Sequence, residues 1–192
     1  QSSLVPAPLA INLWYGSAIV GSGDMSVAGA VTFAESNYGV FQPQGSPAAE
    51  WTLRILHTGS LTFGTSNNFG FSAQGPVRVV NEGQLSFGGA NFYTQNGVRI
   101  ENAATGSVTF AAGGFHAGDD GSGLWTNAGN FTLSKSSPCQ IDARFLHSGR
   151  LDLNHGQLYT SRGFTCQGDV LVPAGSTFET QGDVRLQRAC SV

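Results

Sequence analysis

Charge is scarce in this chain. Only 11% of its 192 residues are Asp, Glu, Lys or Arg, and Lys135 is the sole lysine beside eight arginines. The net charge of −3 offers no general attraction to nucleic acid or to an anionic membrane surface. Long apolar runs are missing as well. The longest candidate, Leu9 to Val20, is broken by Asn12, Tyr15, Gly16 and Ser17, and it falls short of the roughly 18 residues that mark a membrane span. No segment keeps a 3.6-residue apolar repeat, which argues against helices. The three cysteines, Cys139, Cys166 and Cys190, stand in no CxxC or Cys/His spacing, so neither a metal site nor a cofactor is expected. The chain opens at Gln1 with no basic or apolar leader, which reads as a mature, processed or recombinant N-terminus.

What is present is glycine, 27 residues of it, and a phrase built on it. Gly-x-apolar-Thr/Ser/Asp-apolar begins at Gly29, Gly59, Gly83, Gly106, Gly129 and Gly149, in steps of 30, 24, 23, 23 and 20 residues. A degenerate seventh copy is read at Gly175-Ser-Thr-Phe178. Self-similarity at this period marks a solenoid. Apolar residues alternate within each phrase, as in strands, and each period divides into three short strands. The expected fold is all-β: a single-domain parallel β-helix of about six to seven coils. Residues 1–20, with Pro6, Pro8 and an apolar cluster from Leu9 to Tyr15, form the expected N-terminal cap, and 21–192 the β-helix domain. An antiparallel sandwich would also space strands regularly, but it would not return the same phrase at every third strand.

Alternation assigns the faces. Phe33, Phe63, Phe87, Phe110, Leu133 and Leu153 form one expected interior ladder, and Val31, Leu61, Leu85, Val108, Phe131 and Leu151 another. His57, Asn81, Asn102, Asn127 and His147 precede the glycines and are expected to build a polar corner. The glycine itself serves either a positive φ or a close backbone approach. Two columns then point outward: Ala30, Ser60, Gln84, Ser107, Asn130 and Arg150, and beside them Thr32, Thr62, Ser86, Thr109, Thr132 and Asp152. A regular hydroxyl array of this kind would suit ice binding, although Thr and Ser are also ordinary exposed strand residues.

The strand before each phrase yields a third outward column: Arg54, Arg78, Arg99, Trp125, Arg144, Leu171 and Arg185. Stacked like charges repel, so this column needs an offset. Glu101 and Asp142 stand two positions from Arg99 and Arg144 and are the expected partners, with guanidinium stacking on Trp125 as a further contribution. The functional alternative is an acidic or cell-wall polysaccharide laid along Arg54, Arg78, Arg99, Trp125 and Arg144. No nucleic-acid partner and no membrane span are expected.

The remaining candidates are few. Cys139, Cys166 and Cys190 are separated by 27 and 24 residues, about one period. Adjacent coils lie ~4.8 Å apart, close enough for a disulfide. One disulfide, Cys139–Cys166 or Cys166–Cys190, with one free thiol is expected, and three buried thiols are the alternative. Asn130-Phe-Thr132 is a sequon, which makes Asn130 a glycosylation candidate in a secreted chain. Asp119-Asp120 is the sole acidic pair, and carboxyls across a groove can cleave a glycosidic bond. His155 is the only nearby match to the further groups that polysaccharide-cleaving β-helices use, and Asp-Asp-Gly is also an ordinary loop.

The phrases Asn81-Glu-Gly-Gln-Leu-Ser-Phe87, Asn127-Ala-Gly-Asn-Phe-Thr-Leu133 and Gly163-Phe-Thr-Cys-Gln-Gly-Asp169 resemble coils of fungal hyphally regulated cell-wall proteins, over roughly residues 20–186. That resemblance implies a β-helix displayed on a cell surface, with an adhesin-like or wall-architectural role and no catalytic residues to carry over. The leading expectation is therefore a secreted, non-enzymatic surface or wall module. The alternatives are a carbohydrate-binding or carbohydrate-cleaving β-helix, a fibre subunit assembling end to end through an uncapped C-terminal coil, and an ice-binding solenoid.

Overall fold

A computed structural model describes residues 3–5, 9–12, 18–21, 24–34, 39–43, 50–64, 70–74, 76–89, 91–95, 97–117, 123–134, 138–154 and 156–187. Among the described residues there is no helix, and the chain winds as a parallel β-solenoid whose coils contribute one strand to each of three sheets. The first sheet has nine strands, from Ser3–Val5 through Met25–Val27, Trp51–Ile55, Val77–Asn81, Arg99–Asn102, Leu124–Asn127, Arg144–His147 and Phe164–Cys166 to Val184–Leu186. The second sheet carries the Gly-x-apolar phrases, from Leu9–Asn12 to Asp169–Leu171. The third runs from Ala18–Gly21 to Thr177–Thr180. Ser107–Ala117 is one long strand that bends across a corner: Ser107 to Phe110 pair in the second sheet and Gly113 to Ala117 in the third. Gly113, at φ 88°, supplies the left-handed residue at that bend. Ser3–Val5, Leu9–Asn12 and Ala18–Gly21 pair in parallel with the next coil, one in each sheet, so these strands of the segment expected as a cap continue the solenoid.

Both interior ladders of the second sheet form in register and are buried. Phe33, Phe63, Phe87 and Phe110 stack face to face, with centroids 5.5, 5.5 and 4.3 Å apart. Identical residues recur at one pitch, so the rings adopt the offset stack that aromatic quadrupoles favour. Phe92 and Phe115 continue the core on the third sheet, 6.0 Å apart.

Trp125 belongs to this core and not to the outward column expected for it. It is 0% exposed and pairs in register with Ile100 above and Phe145 below. Leu124 takes the outward position instead. Either residue of Leu124-Trp125 is apolar enough to face inward, and the register decides between them. Leu171 also leaves the expected column, because Asp169–Leu171 is a second-sheet strand that pairs with Arg150–Asp152. The true next phrase is therefore Gly168-Asp-Val-Leu171, 19 residues after Gly149. Gly175 lies at φ +85° in open space, in the turn before Thr177–Thr180.

The phrase glycines serve close approach. A Cβ on Gly59, Gly83, Gly106, Gly129, Gly149 or Gly168 would fall far inside contact distance of a carbonyl oxygen of the preceding coil. Each α-carbon lies against backbone at the corner where one coil seats on another. Gly129 would meet the carbonyls of both Gly106 and Ala103. Gly129→Ala is expected to lower unfolding free energy by about 1–3 kcal/mol through overpacking, read by urea denaturation. A fully neutral substitution would show that the corner has slack.

Candidate functional site

The corner beside those glycines is polar and buried. Asn81, Asn102, Asn127 and His147 stack in register and are all at most 2% exposed. Asn81 Nδ2 donates to Asn102 Oδ1 at 2.7 Å, and Asn102 Nδ2 donates to Asn127 Oδ1 at 2.6 Å. Asn127 Nδ2 donates to His147 Nδ1 at 3.0 Å, and His147 Nε2 donates to the Asp169 carbonyl at 2.9 Å. Each amide also reaches the carbonyl of Ser107, Asn130 or Arg150, the residue that opens a second-sheet strand one coil on. The column turns apolar at Ile55 above, where Asn81 Oδ1 is left without a partner, and continues to Cys166 below.

His57 was expected in this column but is exposed on a turn. The residue in register with Asn81 is Ile55. The corner has two lengths: two residues from Asn81 to Gly83, but four from Ile55 to Gly59 and from Asn102 to Gly106. The longer form closes with Gly59 N–H on the Leu56 carbonyl, 2.7 Å, and His57 rides on that turn.

The outward face of the second sheet is as expected. Thr32, Thr62, Ser86, Thr109, Thr132 and Asp152 stand in one column, each half-buried. Ala30, Ser60, Gln84, Ser107, Asn130 and Arg150 stand in the column beside it. Neighbouring side chains are thus spaced ~4.8 Å between coils and roughly 6.7 Å along a strand. This is a regular, largely uncharged lattice of hydroxyls and amides. It ends where Arg150 and Asp152 pair at 3.3 Å. Asn130 is exposed within this lattice, so a glycan there would project from its middle.

The outward face of the first sheet differs from the single arginine column expected. Arg78 and Arg99 are in register, followed by Leu124 and Arg144, but Arg54 pairs with Val80 and stands in the adjacent column. Ile55 is the corner residue of its coil, so Arg54 sits one place before the corner and Arg78 three. The ion pairs also run between coils. Arg54 meets Glu82 at 2.5 Å. Arg78 holds Glu101 in a two-pronged contact at 2.8 and 2.6 Å, and Glu101 in turn keeps the Arg78 guanidinium firmly charged. Glu101 thus serves Arg78 in place of Arg99, and Asp142 serves Arg162 at 3.0 Å in place of Arg144. A carboxylate one coil away lies ~4.8 Å off, closer than the i+2 neighbour on the same strand.

Of the cysteines, Cys166 is disulfide-bonded and Cys139 is a free, buried thiol whose ionisation burial pushes up. This removes the Cys139–Cys166 pairing. Cys190, Asp119, Asp120 and His155 lie outside the described residues. Arg162 carried no signal in the repeat phrase. The step of 19 residues from Gly149 to Gly168 would have revealed its place, because it identifies Phe164–Cys166 as a first-sheet strand. Comparison of the chain with protein-family models, with curated proteins and with solved structures finds no match.

The corner carries a pH dependence. Burial holds the His147 imidazole below its ordinary range, against an opposing pull from the Asp169 carbonyl and charge. Its contact with the Asn127 amide requires an unprotonated Nδ1. Burial lowers His116 as well, opposed by the Asp142 charge. In both cases the unfolded chain binds the proton more readily than the folded one, so stability rises with pH across the window below about 6.5. The thermal midpoint is expected to fall as pH drops from 7.5 to 5. In His147→Asn, which restores the amide of the other coils, part of that fall should vanish. An unchanged pH profile in that variant would assign the dependence elsewhere.

Proposed function

We propose that this chain is a secreted, non-enzymatic surface or wall module, adhesin-like or structural, that recognises extended polymer surfaces with a flat face. One observation carries the reading: the outward hydroxyl and amide columns of the second sheet, held in register over successive coils. Such a lattice is pre-organised, because strand pairing on both sides fixes the backbone beneath each side chain, and little backbone entropy is lost on contact. It offers many weak hydrogen bonds to a repeating partner in place of one strong pocket. The disulfide at Cys166 supports an oxidising, extracellular setting. The resemblance of the coil phrases to hyphally regulated wall proteins points the same way.

Replacing outward residues tests this without touching the core. Thr62→Tyr with Thr109→Tyr should reduce binding to insoluble wall polysaccharide by at least about tenfold in a pull-down, as two bulky groups lift a flat partner off the lattice. Binding at the level of the unaltered chain would remove the second-sheet face from the function. A second reading rests on the same rank of Thr32, Thr62, Ser86, Thr109 and Thr132: a two-dimensional hydroxyl lattice also suits an ice surface. Inhibition of ice recrystallisation by the unaltered chain, lost in the double variant, would favour it. Ordinary ice growth in the chain's presence would discard it.

A further inference from the structure

The outward face of the first sheet changes character over its last coils. One column runs Arg78, Arg99, Leu124, Arg144, and then reaches Gly163 and Asp183. The adjacent column runs Arg54, Val80, Glu101, Thr126, Leu146, Thr165 and Arg185. Arg54 and Arg78 are each closed off by a carboxylate. Below them the pairing loosens. Arg144 forms no ion pair among the described residues, and Arg185 meets Asp183 only at 3.7 Å, with the two side chains 72% and 88% exposed.

Gly163 interrupts the face at this point. It stands at φ +101°, and a Cβ there would come within 3.0 Å of the Asp183 carbonyl oxygen. A recess of about 310 Å³ opens at this point, and Arg144, Arg162, Gly163, Thr165, Asp183 and Arg185 are among the residues that line it. Three guanidinium groups and one carboxylate line it. Asp142, which binds Arg162 together with Ser161, brings the local sum to +1 in a chain of net charge −3.

We propose that this recess binds the anionic group of an acidic saccharide, a uronate or a sulfated sugar. Guanidinium forks match the paired oxygens of carboxylate and sulfate, and three arginines line a space left open among the described residues. Asp183 and Thr165 add an acceptor and a hydroxyl suited to sugar hydroxyls, which a site for a bare inorganic anion would not need. Phe164 is buried at 2% exposure and offers no platform for a nucleobase. Arg99, also without an ion pair among the described residues, lies two coils from Arg144. That is about 10 Å along the stacking axis, where a second anionic group of the same chain could reach it. The inference deepens the surface-recognition reading and rests on it for an extracellular ligand, but it uses a different face.

The test is calorimetric titration of the whole chain at low and high salt. The probes are oligogalacturonate, a sulfated oligosaccharide and a neutral oligosaccharide as control. Arg144→Ala with Arg185→Ala should weaken binding of at least one acidic probe by about tenfold or more, since two charge-assisted contacts are lost. Arg54→Ala with Arg78→Ala should change it by less than about threefold, because those arginines already have partners. Thr62→Tyr with Thr109→Tyr should leave it unchanged, which separates this site from the second-sheet face. Amide NMR shifts of the unaltered chain on adding the acidic probe should centre on Gly163 and Thr165, whether or not a variant folds well. No binding of either acidic probe, equal loss in both arginine pairs, or shifts centred on other coils would each overturn it.

Discussion

The close seating of one coil's glycine on the preceding coil's backbone is the contact on which the rest of this structure depends. Six successive glycines, from Gly59 to Gly168, place an α-carbon where no side chain fits. That contact sets where each second-sheet strand begins. Once the start of a strand is set, alternation assigns every following side chain to core or solvent, because a slip of one residue would exchange the two. The stacked phenylalanines and the outward hydroxyl column are two consequences of the same seating.

The asparagine corner holds the register from the other side. Its amides bond along the column and also to the carbonyl that opens a strand one coil away. A buried amide displaced by one residue would lose both kinds of partner, which is costly in a dry interior. The corner also explains Trp125. Asn127 must lie beneath Asn102, and alternation then turns Trp125 inward beneath Ile100. His147 continues the ladder with a ring in place of an amide, and so brings a titratable group into an otherwise pH-indifferent column.

Two outward faces emerge with different chemistry. The second sheet offers a nearly neutral lattice whose regularity is inherited from the glycine phrase. On the first sheet Arg54 and Arg78 find their partners on neighbouring coils, so their charge is balanced along the stacking axis and not within a strand. The balance is tight at Arg54 and Arg78 and slack around Gly163. A repeat architecture allows this gradient because each coil contacts only its neighbours, and one coil can lose a side chain without altering the others.

Much of this was legible in the sequence. Period-two alternation and the glycine phrase are local signals, and they determined the all-β class, three strands per coil, both second-sheet ladders and the Thr/Ser column. The first sheet was less legible because the corner before each glycine has two lengths. Counting two residues back from glycine places Asn81, Asn127 and His147 correctly and His57 wrongly, whereas Asn102 and Ile55 stand four residues back. Counting Leu-Arg-Ile against Val-Arg-Val placed Arg54 above Arg78, two residues out of step. The signal that would have corrected Trp125 was present: Asn127 and Trp125 are two residues apart and must share a face. The partners of the arginines, and the recess at Gly163, had no local signal. Apart from the local pairs Arg150–Asp152 and Arg185–Asp183, they arise from residues about 20 to 30 positions apart that become neighbours only after the coils stack, and the distance between coils is a property of the folded solenoid alone.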